Sequence, residues 1–222
     1  PYRNHTLLSA SLIFYAWWMP QFLVVIIALT LVTWFVAILI ERSDSEIYTT
    51  RLMALAIIIN VSSLIWYKYA NIVVQSLNEL FGSQSHPLII WQPVLLPIAL
   101  SFTVLHATSY LVDVRRNVVK AQYRLSFFSA YITTFPHLIA GPIVRYKVIE
   151  KELKERYFSI AEFSLGARRF MIGFAMKVLI ADPLSPLVDV VFKTTQPSFM
   201  DAWLGCSAYS IQLYFDFAGY SL

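Results

Sequence analysis

The chain has 222 residues, 58% of them hydrophobic and only 14% charged, with a mean hydropathy of +0.63. A soluble domain carries about a quarter charged residues, so this balance excludes one and points to an all-α, polytopic membrane bundle whose backbone hydrogen bonds close within each segment. The net charge is +4, and its basic residues gather in two loops in the manner of cytoplasmic loops, so no nucleic acid is required as a partner.

The chain opens Pro1-Tyr2-Arg3-Asn4 with no initiator Met and no secretory signal, and a missing native N-terminus is expected. Leu7 to Trp18 is apolar but only about 18 Å long as a helix, too short for a core of roughly 30 Å, and Met19-Pro20-Gln21 breaks it. Phe22 to Ile40 is the clearest span, with Thr30 and Thr33 as its polar groups. Glu41 to Arg51 reads as a short loop. Leu52 to Tyr67 crosses back into a belt of Trp66, Tyr67 and Tyr69 around a snorkelling Lys68. Asn71 to Gln92 is mixed and holds a loop signal, Gly82-Ser83-Gln84-Ser85-His86-Pro87.

Val94 to Val112 is the next expected span, with Pro97 near its first turn. Phe102, His106, Ser109 and Asp113 recur on one helical face, and a polar stripe in a membrane helix must face protein or water. Two basic loops follow: Asp113 to Arg124 holds Arg115, Arg116, Lys120 and Arg124, and Arg145 to Arg169 holds seven basic residues. Both look cytoplasmic by the positive-inside rule. Were Leu125 to Val144 a crossing, one of them would have to be translocated. A re-entrant segment turning near Pro136 and Gly141 removes the conflict, although a proline-kinked span explains the segment taken alone.

Residues at about 145–165 form a cytoplasmic amphipathic segment. Ile149, Leu153 and Tyr157 share a face, and Glu150/Lys154 and Glu152/Arg156 are spaced as i,i+4 pairs. Ser159 with Glu162 is a capping box for a helix that runs to Ile180 and carries Lys177 in its apolar run. Lys177 needs a carboxylate or water. Asp182 lies on a different helical face, so Asp216 from the last span, Ala202 to Gly219, is an equal candidate. Asp182-Pro183-Leu184-Ser185-Pro186 is expected to end the helix, and Thr194 to Ser198 to make a turn. Cys206 is alone in an apolar run, excluding an internal disulfide and metal-ligand spacing. Residues 1–222 are taken as a single membrane domain.

Six stretches in order resemble the membrane-bound O-acyltransferase family, in its bacterial branch that O-acetylates alginate and related exopolysaccharides. They are Arg3-Asn4 with Leu12 to Trp18, Tyr67-Lys68-Tyr69-Ala70-Asn71, Leu96-Pro97 through Ser101-Phe102 to Ser109-Tyr110-Leu111-Val112-Asp113, Phe135 to Tyr146, Arg168 to Gly173 with Lys177 to Asp182, and Tyr214-Phe215-Asp216-Phe217-Ala218-Gly219-Tyr220-Ser221. The resemblance implies a helical bundle around a tunnel in the bacterial cytoplasmic (inner) membrane. There a cytoplasmic acyl donor such as acetyl-CoA, a co-substrate rather than a bound cofactor, meets a polysaccharide or a periplasmic acetyl-transfer partner protein. It also implies a catalytic histidine in a Trp-Arg-Arg-Trp-His type motif, expected beyond Leu222, so that this stretch alone is expected to be inactive and no catalytic residue is assigned within it.

His137 stands where the family commonly has Gln, and Leu222 where it has Asp. The candidate tunnel or substrate-lining residues are His106, Asp113, His137, Arg145, Lys177 and Asp216. Each histidine reads first as a cross-helix hydrogen-bonding group and second as a base. Arg145 could steer donor phosphates or snorkel to lipid headgroups. Lys177 and Asp216 read as a structural ion pair. The rival reading is a transporter-like or accessory membrane component, since broken helices and intramembrane charges also suit a substrate pathway.

Overall fold

The computed structural model describes residues 2–82, 88–138, 144–155 and 159–222, with the backbone alone for Tyr2, Pro136 and His137. Every regular element among them is helical. By contacts the chain divides into two compact units, the first ending at Glu155 and the second holding 159–222. Among the described residues three helices are long and apolar enough to cross a membrane: 20–42, 46–81 and 160–193.

In the first unit, α1 (Tyr2–Trp18) stops where Met19 leaves the helical region, and Pro20 opens α2 (Pro20–Arg42) from its first turn, where a missing N–H costs nothing. Thr30 returns its hydroxyl to the Ile26 carbonyl at 2.7 Å, so the first polar group of this span needs no outside partner. Thr33 receives the Asn60 amide at 3.3 Å from the neighbouring α3 (Glu46–Phe81).

The expected loop from Glu41 to Arg51 shrinks to Ser43–Ser45, because Ser45 caps α3 by accepting from the Tyr48 N–H. The expected end of that span near Tyr67 is also corrected. Neither Gly nor Pro occurs between Glu46 and Phe81, so the helix runs on for 36 residues, about 54 Å. Gly82 ends it.

The span expected over Val94 to Val112 is replaced by non-helical chain at 88–99 and a 16-residue α4 (Leu100–Arg115). Pro93 and Pro97 remove donors and bias the residues before them away from the helical region, and Ala99 turns into α4 at φ 67°. The polar side chains late in α3 hold this extended chain in place. Asn71 donates to the Val94 carbonyl and accepts from its N–H, and Asn78 does the same for Ile89.

The second unit corrects one expectation outright. Asp182 to Pro186 does not end the helix. α8 (Ile160–Met176) continues through a π turn (Lys177–Ala181) into α9 (Asp182–Lys193). Pro183 cannot donate to the carbonyl four residues back. The π turn absorbs the mismatch, with the Asp182 N–H bonded to the Lys177 carbonyl five residues back. Ser159 caps α8 as expected, accepting from the Glu162 N–H at 3.4 Å.

A full capping box stands at Ser198 and Asp201 and opens α10 (Phe199–Ser221). α10 is 23 residues long but is not among the three helices apolar enough to cross a membrane. It packs on α8 where Gly173 meets Gly219 backbone to backbone, which only two residues lacking Cβ allow.

Candidate functional site

The segment between the two basic loops begins with α5 (Leu125–Thr133) and α6 (Phe135–Leu138), and α7 (Tyr146–Lys154) follows it. The turn was expected near Pro136 and Gly141; Pro136 instead falls within α6, and Gly141 lies outside the described residues. The segment's ends are nevertheless tied together. Gln122, before α5, donates from Nε2 to the Tyr146 hydroxyl at 2.9 Å, and the Tyr131 hydroxyl donates to the Val144 carbonyl at 3.0 Å. A crossing would leave these ends about 30 Å apart. They meet instead, as a re-entrant segment requires.

Gln122 is the hub of this closure, and all four of its hydrogen-bonding groups are used. Its N–H donates to the Tyr110 hydroxyl at 2.7 Å, its carbonyl accepts from the Trp34 indole at 2.7 Å, and its Oε1 accepts from the Arg124 N–H at 3.0 Å, besides the bond to Tyr146. The tyrosine rings close around it. Tyr110 lies 5.1 Å and Tyr131 5.2 Å from Tyr146, both edge to face, with Phe128 packed 4.7 Å from Tyr110. Burial pushes the Tyr146 phenol up to about 12, against a smaller opposing effect of the Gln122 hydrogen bond.

His106 and Asp113 sit two turns apart on α4, at 1% and 5% exposure. The His106 ring meets Tyr131 edge to face at 5.6 Å, which places it against the re-entrant segment. Asp113 Oδ2 has no hydrogen-bond partner among the described residues. The rest of the expected stripe, Phe102 and Ser109, is half-buried. Arg145 is exposed at the N-cap of α7, beside exposed Lys147. His137 falls in α6, and its side chain lies outside the described residues. On α7 the Glu150–Lys154 pair forms at 2.7 Å, whereas Arg156 and Tyr157 lie outside the description.

In the second unit Lys177 does not choose between its candidate partners. Its Nζ lies 2.8 Å from Asp216 and 3.1 Å from Asp182. The argument that Asp182 sits on another face assumed about 100° per residue, as in an α-helix. The π turn widens the winding and carries the fifth residue back beside the first. Among the described residues no three His, Cys, Asp or Glu side chains gather as a metal site.

Among the described residues of the first unit, two cavities stand out. One, of about 490 Å³, is apolar, with Phe14, Trp17, Trp18 and Leu138 on its walls. The other, of about 840 Å³, lies between the end of α3 and the extended chain beyond it. Neither includes His106 or Asp113.

Known relatives bear directly on this arrangement. The chain is 40% identical over 221 residues to the probable alginate O-acetylase AlgI of Azotobacter vinelandii, covering 99% of this chain and 44% of that protein. It is 40% identical to the Pseudomonas aeruginosa protein of the same name, with 99% and 42% covered. Against the peptidoglycan O-acetyltransferase of Helicobacter pylori it is 32% identical over 242 residues, with 96% and 45% covered. Over almost its whole length the chain is thus similar to proteins named for O-acetyl transfer. No family model matches it. It spans less than half the length of these relatives.

Several residues that build the site escaped sequence reasoning. Gln122 and Tyr131 were passed over in the sequence, and Tyr110 and Tyr146 entered only as members of the stretches that carry the family resemblance. Their one signal was a phenol hydroxyl in each of three consecutive apolar stretches, which needs a partner when buried. Asn71 and Asn78 sit seven residues apart, on one face of a helix, and that spacing could have marked the strap on the chain at 89–94.

Proposed function

We propose that the chain is the front and middle of an inner-membrane O-acyltransferase that moves acetyl groups from a cytoplasmic thioester such as acetyl-CoA toward hydroxyls of an alginate-type exopolysaccharide. The immediate acceptor is the polysaccharide itself or a periplasmic acetyl-transfer protein. The observation that carries the reading is identity of about 40% sustained along 99% of the chain with proteins named alginate O-acetylase.

The arrangement in the first unit supports it. A segment that leaves from and returns to one basic face brings apolar chain into the bilayer without crossing it. The exposed Arg145 and Lys147 at its return offer charge for the phosphates of a coenzyme A donor. In the transfer the acceptor oxygen bonds to the acyl carbon, the thiolate leaves, and a base takes the hydroxyl proton. His106, Asp113 and His137 are placed in this reading along the donor's path, with Lys177 and Asp216 holding their own unit together.

The test uses the full-length protein in inverted membrane vesicles supplied with radiolabelled acetyl-CoA on the cytoplasmic face. Label appearing in alkali-labile esters on polysaccharide supports the proposal, with reduced transfer in Arg145→Ala. Intact folded protein that releases no acetyl from the thioester, with polysaccharide present, overturns it.

A further inference from the structure

The loop between α4 and α5 carries a cluster of cations that the closure of the re-entrant segment does not use. Its backbone is pinned. The Val118 and Val119 N–H groups donate to the Asp113 carbonyl at 2.9 and 3.4 Å, the Ala121 N–H donates to Glu41 Oε2 at 2.6 Å, and Gln122 is held by Trp34 and Tyr110. Asn117 takes the left-handed turn at φ 56°, which its short polar side chain tolerates. Val119 and Ala121 are buried, while Arg116, Lys120, Tyr123 and Arg124 stay exposed.

Two of the cations are already oriented. The guanidinium of exposed Arg42, in the last turn of α2, lies 5.6 Å from the centre of the Tyr123 ring, and that of Arg124 lies 5.4 Å from the centre of Phe127. Among the described residues no carboxylate forms an ion pair with Arg42, Lys120 or Arg124. Glu41, next to Arg42, is half-buried and turned to the Ala121 N–H. Uncompensated cations around one exposed ring suit a ligand that has both a flat aromatic base and phosphate groups. The face of Tyr123 away from Arg42 can stack the base, and guanidinium forks match phosphate oxygens. Little ordering is needed on binding, because both guanidiniums are held by rings beforehand.

We propose that Arg42, Lys120, Tyr123 and Arg124 bind the nucleotide end of the acyl donor, with the purine on Tyr123 and the ribose phosphate on the cations. This rests on the reading that the donor is acetyl-CoA, and it makes these residues the ones that distinguish a nucleotide-bearing thioester from a truncated one. Gln122 joins the cluster to Tyr146 at the return of the re-entrant segment, where exposed Arg145 and Lys147 are left for the diphosphate. A phospholipid headgroup also brings a phosphate, but it has no base and would leave Tyr123 idle.

The test uses the full-length protein in phosphatidylcholine nanodiscs, with acetyl transfer followed from acetyl-CoA and from S-acetyl phosphopantetheine, which has neither base nor ribose phosphate. Tyr123→Ala and Arg124→Ala should each raise KM for acetyl-CoA about tenfold. The kcat should not change, because these contacts are remote from the acyl carbon and equal in ground and transition states. With the truncated donor both variants should match the parent. Calorimetry with CoA itself should read the same loss as weaker binding. Both side chains are exposed, and an unchanged elution profile checks the fold. Variants that keep the parent's KM and CoA affinity, or that lose as much with the truncated donor, overturn the proposal. A thermal midpoint raised by added phosphatidylglycerol and not by CoA assigns the cations to lipid headgroups and overturns it too. Transfer from acetyl-CoA with the variants unaltered removes the site alone. CoA held through Tyr123 without any transfer supports the site and removes the acyltransferase reading.

Discussion

Replacing Tyr146 with Phe removes one hydroxyl and keeps the ring that packs on Tyr110 and Tyr131. The loss falls on Gln122 Nε2, which donates to that hydroxyl at 2.9 Å and is left in a half-buried position with no acceptor. A bond of this kind contributes about 1 kcal/mol net, and stranding its donor raises the cost to roughly 2 kcal/mol. That is a factor of about 5 to 30 in an opening equilibrium. The bond joins the two ends of the re-entrant segment, so the effect should be local.

Hydrogen exchange read by mass spectrometry on the full-length protein should show faster exchange in peptides covering 125–133 and 144–149. The α2 peptides should be unchanged. A double-mutant cycle with Gln122→Ala should give a coupling of about 0.5–1.5 kcal/mol. Unaltered exchange at 125–133, or an equal increase everywhere, would refute the idea that this bond closes the segment.

The same hydroxyl gives a pH signature. Burial raises the folded phenol to about 12, above an unfolded value of about 10. The stabilisation is therefore complete below pH 10 and lost as pH rises through 12. Tyrosinate absorbance of the parent minus that of Tyr146→Phe should show one late-ionising phenol near the upper value.

Three other substitutions probe the scaffold. Gly219→Ala would put a Cβ 2.6 Å from the Gly173 carbonyl oxygen where ordinary contact begins at about 3.4 Å, so α10 must move off α8. Overpacking of about 1–3 kcal/mol should lower the thermal midpoint in detergent, and an unchanged midpoint would contradict the close approach. Lys177→Met should destabilise more than Asp216→Asn, because it leaves two carboxylates unneutralised while the latter keeps the 3.1 Å pair with Asp182; all three side chains are about half exposed, so the difference should stay below about 1 kcal/mol, and thermal melts of the two variants compare them. Asn78→Ala frees both backbone groups of Ile89, and exchange should accelerate at 88–90 with little change in α2, as peptide-level exchange would show.

The all-α class and the clearest spans were legible in composition and apolar run length, because lipid leaves a chain few ways to satisfy its backbone, while the likeness to O-acetylating proteins was carried by short motif stretches. The re-entrant segment was legible too, through the charges of its flanking loops. The positive-inside rule converts loop composition directly into topology. Local end signals were less reliable. Pro183 and Pro186 looked like a stop, yet a π turn and the packing of α10 against α8 and α9 carry the helix through them.

What only the tertiary structure decided is which polar groups meet. Lys177 reaches two aspartates because the π turn changes the angular position of Asp182, and no residue pattern announces a change of winding. Gln122 became the hub of the closure because Trp34, Tyr110 and Tyr146 arrive from three separate elements. Hydrogen bonds at such separations depend on packing distance, whereas a sequence by itself specifies period, polarity and breaks.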